Sequence, residues 1–163
     1  MSDRIRPVSE DEEKSWPKEP LVTLEKPFVD ARGRIQPIVD TMMESAVLIE
    51  SARGTLRANH YHKTDWHYCY VMKGIIQYYH RPTNSGEKPQ LLTAKEGEMI
   101  FTPPMVDHAM VFPEKSVFLT LGRNPRAQDV YEADVVRVPL VDPADAGLVS
   151  WKPGDEQSRG EDE

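Results

Sequence analysis

Residues 54–74, GTLRANHYHKTDWHYCYVMKG, place three of the chain's five histidines between two glycines. One residue separates His60 from His62, and alternate side chains of a β-strand point to the same face of a sheet. Both imidazoles are therefore predicted to reach a common point from one strand. His67 follows a short polar stretch and is expected to open the next strand, so that it approaches the same point from the side.

A second histidine cluster spans residues 97–112, GEMIFTPPMVDHAMVF. A glycine turn, a short apolar strand and a proline-containing loop precede His108, and they are expected to return a fourth imidazole to the same cavity. Neutral imidazoles are common ligands of Zn, Fe, Ni and Cu ions in proteins. The two clusters therefore predict one divalent transition metal, Zn, Fe, Ni, Cu or Mn, with the ligands His60, His62, His67 and His108.

Short β-strands account for most of the remaining pattern. The sequence contains 14 prolines and 9 glycines, and we find no long stretch with a helical period. Runs rich in Val, Ile, Tyr and Phe, bounded by turn residues, predict strands. These runs cover residues 34–39, 46–51, 56–62, 67–72, 75–80, 90–93, 98–102, 108–112, 116–121 and 131–138. Many short strands without intervening helices favour an all-β antiparallel fold, namely a sandwich, barrel or jelly roll.

The net charge of -7 is concentrated at the two ends of the chain. Residues 155–163 contain five acidic residues and a single arginine, and residues 1–20 contain three prolines among mixed charges. Such segments bury little apolar surface. We therefore predict a mobile or partner-dependent segment over residues 1–20, a barrel over residues 21–142 and an acidic tail over residues 143–163.

Composition also argues against several classes of ligand and location. The nearly neutral centre of the chain lacks a run of Lys and Arg, which argues against nucleic acid as the main ligand. No apolar run approaches the ~20 residues of a membrane span, and the start of the sequence lacks the apolar stretch of a signal peptide. Cys69 is the only cysteine, so no intrachain disulfide can form. These features predict a cytoplasmic protein that binds a small molecule, and neither nucleic acid nor a membrane.

The two histidine clusters resemble the paired motifs of the cupin superfamily, G-x5-H-x-H-x3,4-E-x6-G and G-x5-P-x-G-x2-H-x3-N. This resemblance implies a double-stranded β-helix, a small jelly-roll barrel with the metal inside. It places His60, His62 and His108 at three ligand positions, and it places His67 where cupins usually have a glutamate. Met105 and Phe112 replace the glycine and the asparagine of the second motif.

A narrower resemblance concerns sugar-nucleotide enzymes. Residues 28–35, FVDARGRI, are similar to the F-x-D-x-R-G entry segment of nucleotide-sugar epimerases and ketoisomerases related to dTDP-4-dehydrorhamnose 3,5-epimerase. Residues 56–64, LRANHYHKT, are similar to a histidine-containing stretch of the same enzymes and of the cupin domain of capsular sugar epimerase/reductases. In the metal-free epimerases a histidine acts as the base and a tyrosine as the acid. The resemblance therefore implies proton transfer on a nucleotide sugar.

Further candidate site residues come from these segments. Arg57 precedes His60 by three residues and would point to the opposite face of an ideal strand, so we expect it at the barrel mouth as an anion clamp. One of the tyrosines could act as a general acid. The candidate catalytic residues are Arg57 and Tyr78, and the candidate substrate-binding residues are Arg57, Arg32, Met105 and Phe112.

Three functions are compatible with these residues. The preferred hypothesis is a metal-dependent isomerase or epimerase that acts on a small oxygenated substrate such as a nucleotide sugar. The first alternative is a non-haem dioxygenase, which an apolar cavity around His108 would favour. The second alternative is a cupin that binds a small ligand without catalysis. By resemblance to barrels that pair through their outer sheet, we also expect a homodimer.

Overall fold

The computed structural model describes residues 3–142, so that the predicted acidic tail, residues 143–163, lies outside the described part of the chain. Within that part the strands are antiparallel, which confirms the all-β prediction. The elements, in chain order, are α1 (Glu10–Ser15), β1 (Phe28–Asp30), β2 (Gly33–Ile35), β3 (Ser45–Ser51), β4 (Thr55–His62), β5 (His67–Lys73), β6 (Ile75–Pro82), β7 (Gln90–Lys95), β8 (Met99–Thr102), β9 (Val106–Phe112), β10 (Ser116–Gly122), α2 (Gln128–Asp134) and β11 (Val135–Arg137).

Two sheets form the body of the protein. One sheet has the strand order β3-β10-β5-β8, and the other has the order β11-β4-β9-β6-β7. The hydrophobic core takes side chains from both sheets, and Phe112 of one stacks on Phe118 of the other with 5.6 Å between ring centroids. Non-sequential neighbours in both sheets are expected for a jelly roll, because consecutive strands alternate between its two sheets.

A tight turn at Gly74 carries the chain from β5 in one sheet to β6 in the other. Gly74 has a φ of +91°, a conformation that side chains disfavour, and a Cβ atom at this position would lie 2.8 Å from Ser116 Cα. Ser116 fixes the turn further, because its hydroxyl accepts a hydrogen bond from Ile75 N at 3.1 Å. The first histidine cluster therefore ends where the chain must reverse into the opposite sheet.

The structure corrects two of the predicted strands. Residues 131–138 were predicted to be extended, but Tyr131 to Asp134 belong to helix α2, and only Val135–Arg137 form a strand. Glu132 and Ala133 favour a helix, and the helix buries Val130 and Asp134. The strand predicted over residues 34–39 is likewise shorter in the structure, where β2 ends at Ile35 and pairs with β1. Neither helix among residues 3–142 is long and apolar enough to span a membrane.

The N-terminal segment, residues 3–20, has a docked position that the sequence does not predict. Trp16 packs near Phe101, with 6.3 Å between ring centroids. Arg123, a fully buried residue that precedes α2, forms a two-point ion pair with Glu12 of α1. Charge and proline content predict a mobile or partner-dependent segment, and in the structure Trp16 and the Glu12–Arg123 pair connect this segment with the barrel.

The Glu12–Arg123 pair predicts a loss of stability in acid. The hydrogen bonds from Arg123 hold the pKa of Glu12 below its ordinary value of 4.5. The stabilisation is therefore fully present above that value and is lost as the pH falls through the lower pKa of the folded state. Hydrogen bonds to charged groups are worth about 2 kcal/mol, so Glu12→Gln should destabilise the protein by roughly this amount at pH 7 and by much less at pH 3.

Urea unfolding of wild type and variant at both pH values measures this difference. Glu13→Gln, an exposed position on the same helix, is the control and should change stability little at either pH. A difference between wild type and Glu12→Gln that stays constant from pH 7 to pH 3 would contradict the assignment of the pair.

Candidate functional site

Three imidazoles meet between the two sheets. The ring nitrogens of His60, His62 and His108 that could bind a metal lie within 4.8 Å of one another. The ring centroid of His60 is 4.7 Å from that of His62 and 4.7 Å from that of His108. His62 and His108 are almost completely buried. The structure thus brings together three of the four predicted metal ligands.

A β-bulge in β4 produces this convergence. Ala58 and Asn59 have positive φ angles of 67° and 57°, and the register with β9 shifts between Ala58 and His60. Asparagine tolerates this conformation better than most residues. The Asn59 side chain also donates to the backbone carbonyl of Val141 at 2.9 Å and accepts from its N–H at 3.0 Å. The bulge sets His60 directly opposite His108.

The same bulge changes the position of Arg57. Regular alternation would direct Arg57 away from His60, but the extra residue returns both side chains to the wall of one cavity. The guanidinium donates from Nε to Ser51 Oγ at 2.7 Å and from Nη2 to the carbonyl of Glu50 at 2.8 Å. These bonds hold a cation beside the histidine group, where it can attract an anionic substrate.

Hydrogen bonding leaves ring nitrogens available in the histidine group. His108 Nδ1 lies 3.0 Å from the carbonyl oxygen of Val106 and donates to it, which leaves Nε2 with a free lone pair. Both ring nitrogens of His62 are buried, but Nδ1 faces Asp134 Oδ2 at 3.5 Å, whereas Nε2 has no partner among residues 3–142. Because buried polar atoms rarely stay unpaired, a ligand or a metal ion is the natural partner of His62 Nε2. The donor set therefore fits a transition metal.

Burial keeps the three imidazoles neutral, as metal ligands must be. Removal from water and the charges of neighbouring imidazoles lower the pKa of His108 to about 3. The same two causes lower the pKa of His60 well below its ordinary value, and burial is the main cause for His62. Neutral histidines at physiological pH can bind a metal without first losing a proton.

His67, the fourth predicted ligand, is paired differently. Its Nε2 lies 3.0 Å from Oδ2 of Asp65, and His67 is not part of the three-histidine group within residues 3–142. Burial alone would raise the pKa of Asp65, but the charge of His67 and its hydrogen bond outweigh burial and lower that pKa. An imidazole supported by a carboxylate has the arrangement of a proton-transfer group.

A second buried carboxylate, Asp134, lies behind His62. Its Oδ2 is 3.5 Å from His62 Nδ1, and it accepts hydrogen bonds from Thr64 N, Thr64 Oγ1 and Asp65 N at 2.9, 2.6 and 3.0 Å. The atoms of His62, Asp65 and Asp134 also lie close enough to share a metal. The carboxylate oxygens of that group already have partners, however, so the three-histidine group is the better metal site.

Tyr131 covers the histidine group from helix α2. Its ring centroid lies 6.2 Å from that of His60 and 5.6 Å from that of His62, and the Arg126 guanidinium stacks 3.9 Å from the ring centroid. Burial raises the pKa of the Tyr131 phenol, so it is protonated at neutral pH and can donate a proton. Tyr131 and Asp134 have no local sequence signal, because nothing in the pattern indicates that α2 returns to the histidines. Asp65 lies between His62 and His67 and resembles an ordinary turn residue.

The histidines border a cavity of about 180 Å³. Its polar lining includes the four histidines together with Arg57, Arg126 and Tyr131. Its apolar lining consists largely of Val47, Ile49, Cys69, Met110 and Phe118. A larger cavity of about 530 Å³ lies beside the N-terminal segment, but its lining contains no histidine. The chemistry therefore identifies the smaller cavity as the candidate site.

Two predicted substrate-binding residues lie away from this cavity. Arg32 is largely exposed and forms an ion pair with Asp30 at 2.6 Å in the turn between β1 and β2. Met105 is 46% exposed and has a φ of 62° in the turn before β9. Both belong to the surface of this chain.

Two other predicted residues lie in the core. The hydroxyl of Tyr78 is 2.8 Å from Thr102 Oγ1, and burial raises the pKa of Tyr78 above its ordinary value. Phe112 shares the strand face of His108 but lies deeper in the barrel, where Phe118 covers it. Neither side chain lines the cavity.

No protein-family model matches the sequence, and no curated protein matches it. Solved structures do share its fold. The dTDP-4-dehydrorhamnose 3,5-epimerase from Sulfolobus tokodaii is 15% identical over 82% of this chain and 91% of its own, with a TM-score of 0.63. A double mutant of the 3,4-ketoisomerase QdtA from Thermoanaerobacterium thermosaccharolyticum, in complex with TDP, is 20% identical over 72% of this chain and 85% of its own, with a TM-score of 0.59.

A third similar structure is a longer protein. The capsular polysaccharide assembling protein CapF from Staphylococcus aureus is 18% identical over 73% of this chain and 34% of its own, with a TM-score of 0.52. At these low identities the similarities establish the fold and leave the activity open. The described part of the chain has the jelly-roll fold that these solved structures share.

Proposed function

We propose that this chain is a metal-dependent isomerase or epimerase that acts on a small keto sugar, with a nucleotide sugar as the first candidate substrate. The observation that carries this proposal is the convergence of three kinds of group on one cavity. These are a neutral three-histidine group, a carboxylate-supported imidazole and a half-buried phenol. The shared fold of two sugar-nucleotide enzymes supports the choice of substrate class.

His60, His62 and His108 would hold the metal. The unpaired Nε2 of His62 and the backbone bond at His108 Nδ1 support this assignment. When bound, a divalent transition metal would supply Lewis-acid polarisation of a substrate oxygen. Coordination by His67 remains a prediction, and its contact with Asp65 favours a different role.

The proton chemistry is assigned to His67 and Tyr131. His67 would remove the proton next to the substrate carbonyl, and Asp65 would hold the imidazole and stabilise its charged form. Tyr131, which is protonated at neutral pH, would return a proton to the substrate. Both rings pack against His62, so both lie at the same cavity. Arg57 would attract an anionic group of the substrate.

The size of the cavity limits what it can enclose. Small-molecule sites commonly measure roughly 300–1,000 Å³, whereas this cavity measures about 180 Å³. It can take one sugar ring and leaves no room for a nucleotide. A nucleotide sugar would therefore bind with its sugar inside and its phosphates outside, on the side of Arg57 and Arg126.

Deuterium exchange tests this proposal directly. The protein, repleted with metal, is incubated in D₂O with TDP-4-keto-6-deoxyglucose, the ligand in a complex of the 3,4-ketoisomerase. We expect deuterium at a carbon adjacent to the keto group, detected by mass spectrometry and NMR, together with an isomerised or epimerised product. A metal-loaded protein that binds this compound and incorporates no deuterium would contradict the proposal.

The apolar lining favours one alternative, a metal-dependent dioxygenase. Val47, Ile49 and Met110 offer few partners for sugar hydroxyls and would suit a small enolisable diketone. Oxygen uptake with a diketone or a catechol, in the absence of exchange on the keto sugar, would favour the dioxygenase. Ligand-dependent shifts in melting temperature without turnover would favour a binding protein instead.

A further inference from the structure

A chain of buried hydrogen bonds connects the N-terminal segment with the histidine site. Its first member is Arg123, which is completely buried and donates to both carboxylate oxygens of Glu12 and to the carbonyl of Pro7. Trp66 also donates to Glu12, from Nε1 at 3.2 Å. A buried arginine needs a charged partner, and here that partner comes from a position more than a hundred residues away in the sequence.

The chain continues through two neutral side chains. Arg123 Nη1 donates to Asn124 Oδ1 at 2.9 Å, and Asn124 Nδ2 donates to Thr64 Oγ1 at 3.0 Å. Thr64 Oγ1 donates in turn to Asp134 Oδ1 at 2.6 Å. Each side chain accepts one bond and donates the next, so the bonds run in one direction and polarise one another.

The chain ends at two carboxylates that face histidines. Asp134 lies behind His62, and the backbone N–H of Asn124 donates to Asp65 Oδ1 at 2.9 Å while Asp65 Oδ2 contacts His67. Asn124 therefore binds Asp65 directly, through its backbone N–H, and Asp134 indirectly, through the hydroxyl of Thr64. Its amide orientation is fixed because its oxygen must face Arg123 and its nitrogen must face Thr64.

We infer that Glu12, Arg123, Asn124 and Thr64 are positioning residues that hold Asp65 and Asp134 against the histidines, so that the docked N-terminal segment is part of the site. Glu12 keeps Arg123 in place, Arg123 orients Asn124, and Asn124 and Thr64 fix the two carboxylates. The function of the segment is then to order the groups behind His62 and His67. The inference concerns the site of the proposed function, but the hydrogen bonds that carry it do not depend on any metal or substrate.

A double-mutant cycle tests the connection without metal or substrate. Glu12 and Thr64 have no hydrogen bond to each other and belong to opposite ends of the chain of bonds. Each substitution changes the unfolding equilibrium constant by some factor. If Glu12 and Thr64 act through Arg123 and Asn124, the change in the double variant should differ from the product of the factors for Glu12→Gln and Thr64→Val. We expect the double variant to deviate from the product of the single effects at least threefold, as measured by urea unfolding.

Arg6→Gln is the matched control for undocking of the segment. Arg6 anchors the same segment through Glu44 at 3.1 Å and takes no part in the chain of bonds. The factors by which Arg6→Gln and Thr64→Val change the unfolding equilibrium constant should simply multiply in the double variant. Non-additivity with Glu12→Gln but not with Arg6→Gln would support the inference, and simple multiplication in both cycles would overturn it.

The second readout is the ring tautomer of His62 in the metal-free protein, because Thr64 holds the carboxylate that faces this ring. With Nδ1 3.5 Å from Asp134 Oδ2, neutral His62 should carry its proton on Nδ1, and ¹⁵N NMR of the ring distinguishes the two tautomers. Thr64→Val should reduce the Nδ1-protonated fraction, and Thr64→Ser, which keeps the hydroxyl, should restore it. An unchanged tautomer in Thr64→Val would contradict the positioning role.

Discussion

Protein with His108 replaced by alanine should bind no stoichiometric metal, whereas the wild type should carry about one divalent transition metal per chain. His108 supplies one of three buried nitrogens that lie within 4.8 Å of one another, and the site has no spare imidazole at that position. Loss of a residue that hydrogen-bonds a metal ligand typically lowers metal affinity about 10–100-fold. Loss of a ligand itself should therefore lower the affinity by more than about 100-fold. Elemental analysis after repletion with Ni(II) or Zn(II) measures the effect, and His60→Ala should give the same result.

His80→Ala provides the matched control. His80 is the remaining histidine of the chain and stacks on Tyr78 with 5.1 Å between ring centroids, outside the three-histidine group. This variant should retain stoichiometric metal. A wild type that binds none of several metals, or a His108→Ala variant that still binds one ion per chain, would refute the proposed centre.

The fold could be predicted because its signals are local. Period-two alternation and turn residues such as Gly74 mark the strands, and these signals do not depend on distant parts of the chain. The strand predicted over residues 131–138 is confirmed for Val135–Arg137 and wrong for residues 131–134, where Glu132 and Ala133 favour a helix over the aromatic residue beside them. Helix α2 forms there and buries Asp134 behind His62.

The candidate site could be predicted only in part, for a related reason. His60 and His62 share a face by simple alternation, so their spacing alone was sufficient to predict that the two imidazoles converge. Asp134 lies behind His62 from a position about 70 residues further along the chain, and its bonds to Thr64 and Asp65 have no local sequence signal. Asp65 is only two residues from His67, but its spacing does not distinguish a support of the imidazole from an ordinary turn residue. Arg57 was assigned to the wrong face because a bulge at Asn59 adds one residue to the strand. Sequence spacing therefore predicted the histidines, and the groups that orient them required the tertiary structure.

The second large effect is expected from His67→Gln in the deuterium-exchange assay. Glutamine keeps a polar side chain of similar reach but cannot accept a substrate proton at neutral pH. General-base catalysis typically contributes about 10²–10⁴-fold, so the exchange rate should fall by roughly that factor. Asp65→Asn should also slow exchange, because the amide cannot stabilise the charged imidazole as the carboxylate does.

Metal content separates this role from coordination. His67 is outside the three-histidine group and its Nε2 faces Asp65, so His67→Gln should retain about one metal per chain while it loses exchange. Tyr131→Phe is the companion variant, since loss of the acid should lower product formation more than deuterium incorporation. If His67→Gln loses both metal and exchange, His67 is a fourth ligand. If it loses neither, the base is another group on the cavity wall, and the short contact between His67 and Asp65 serves only to hold the fold together.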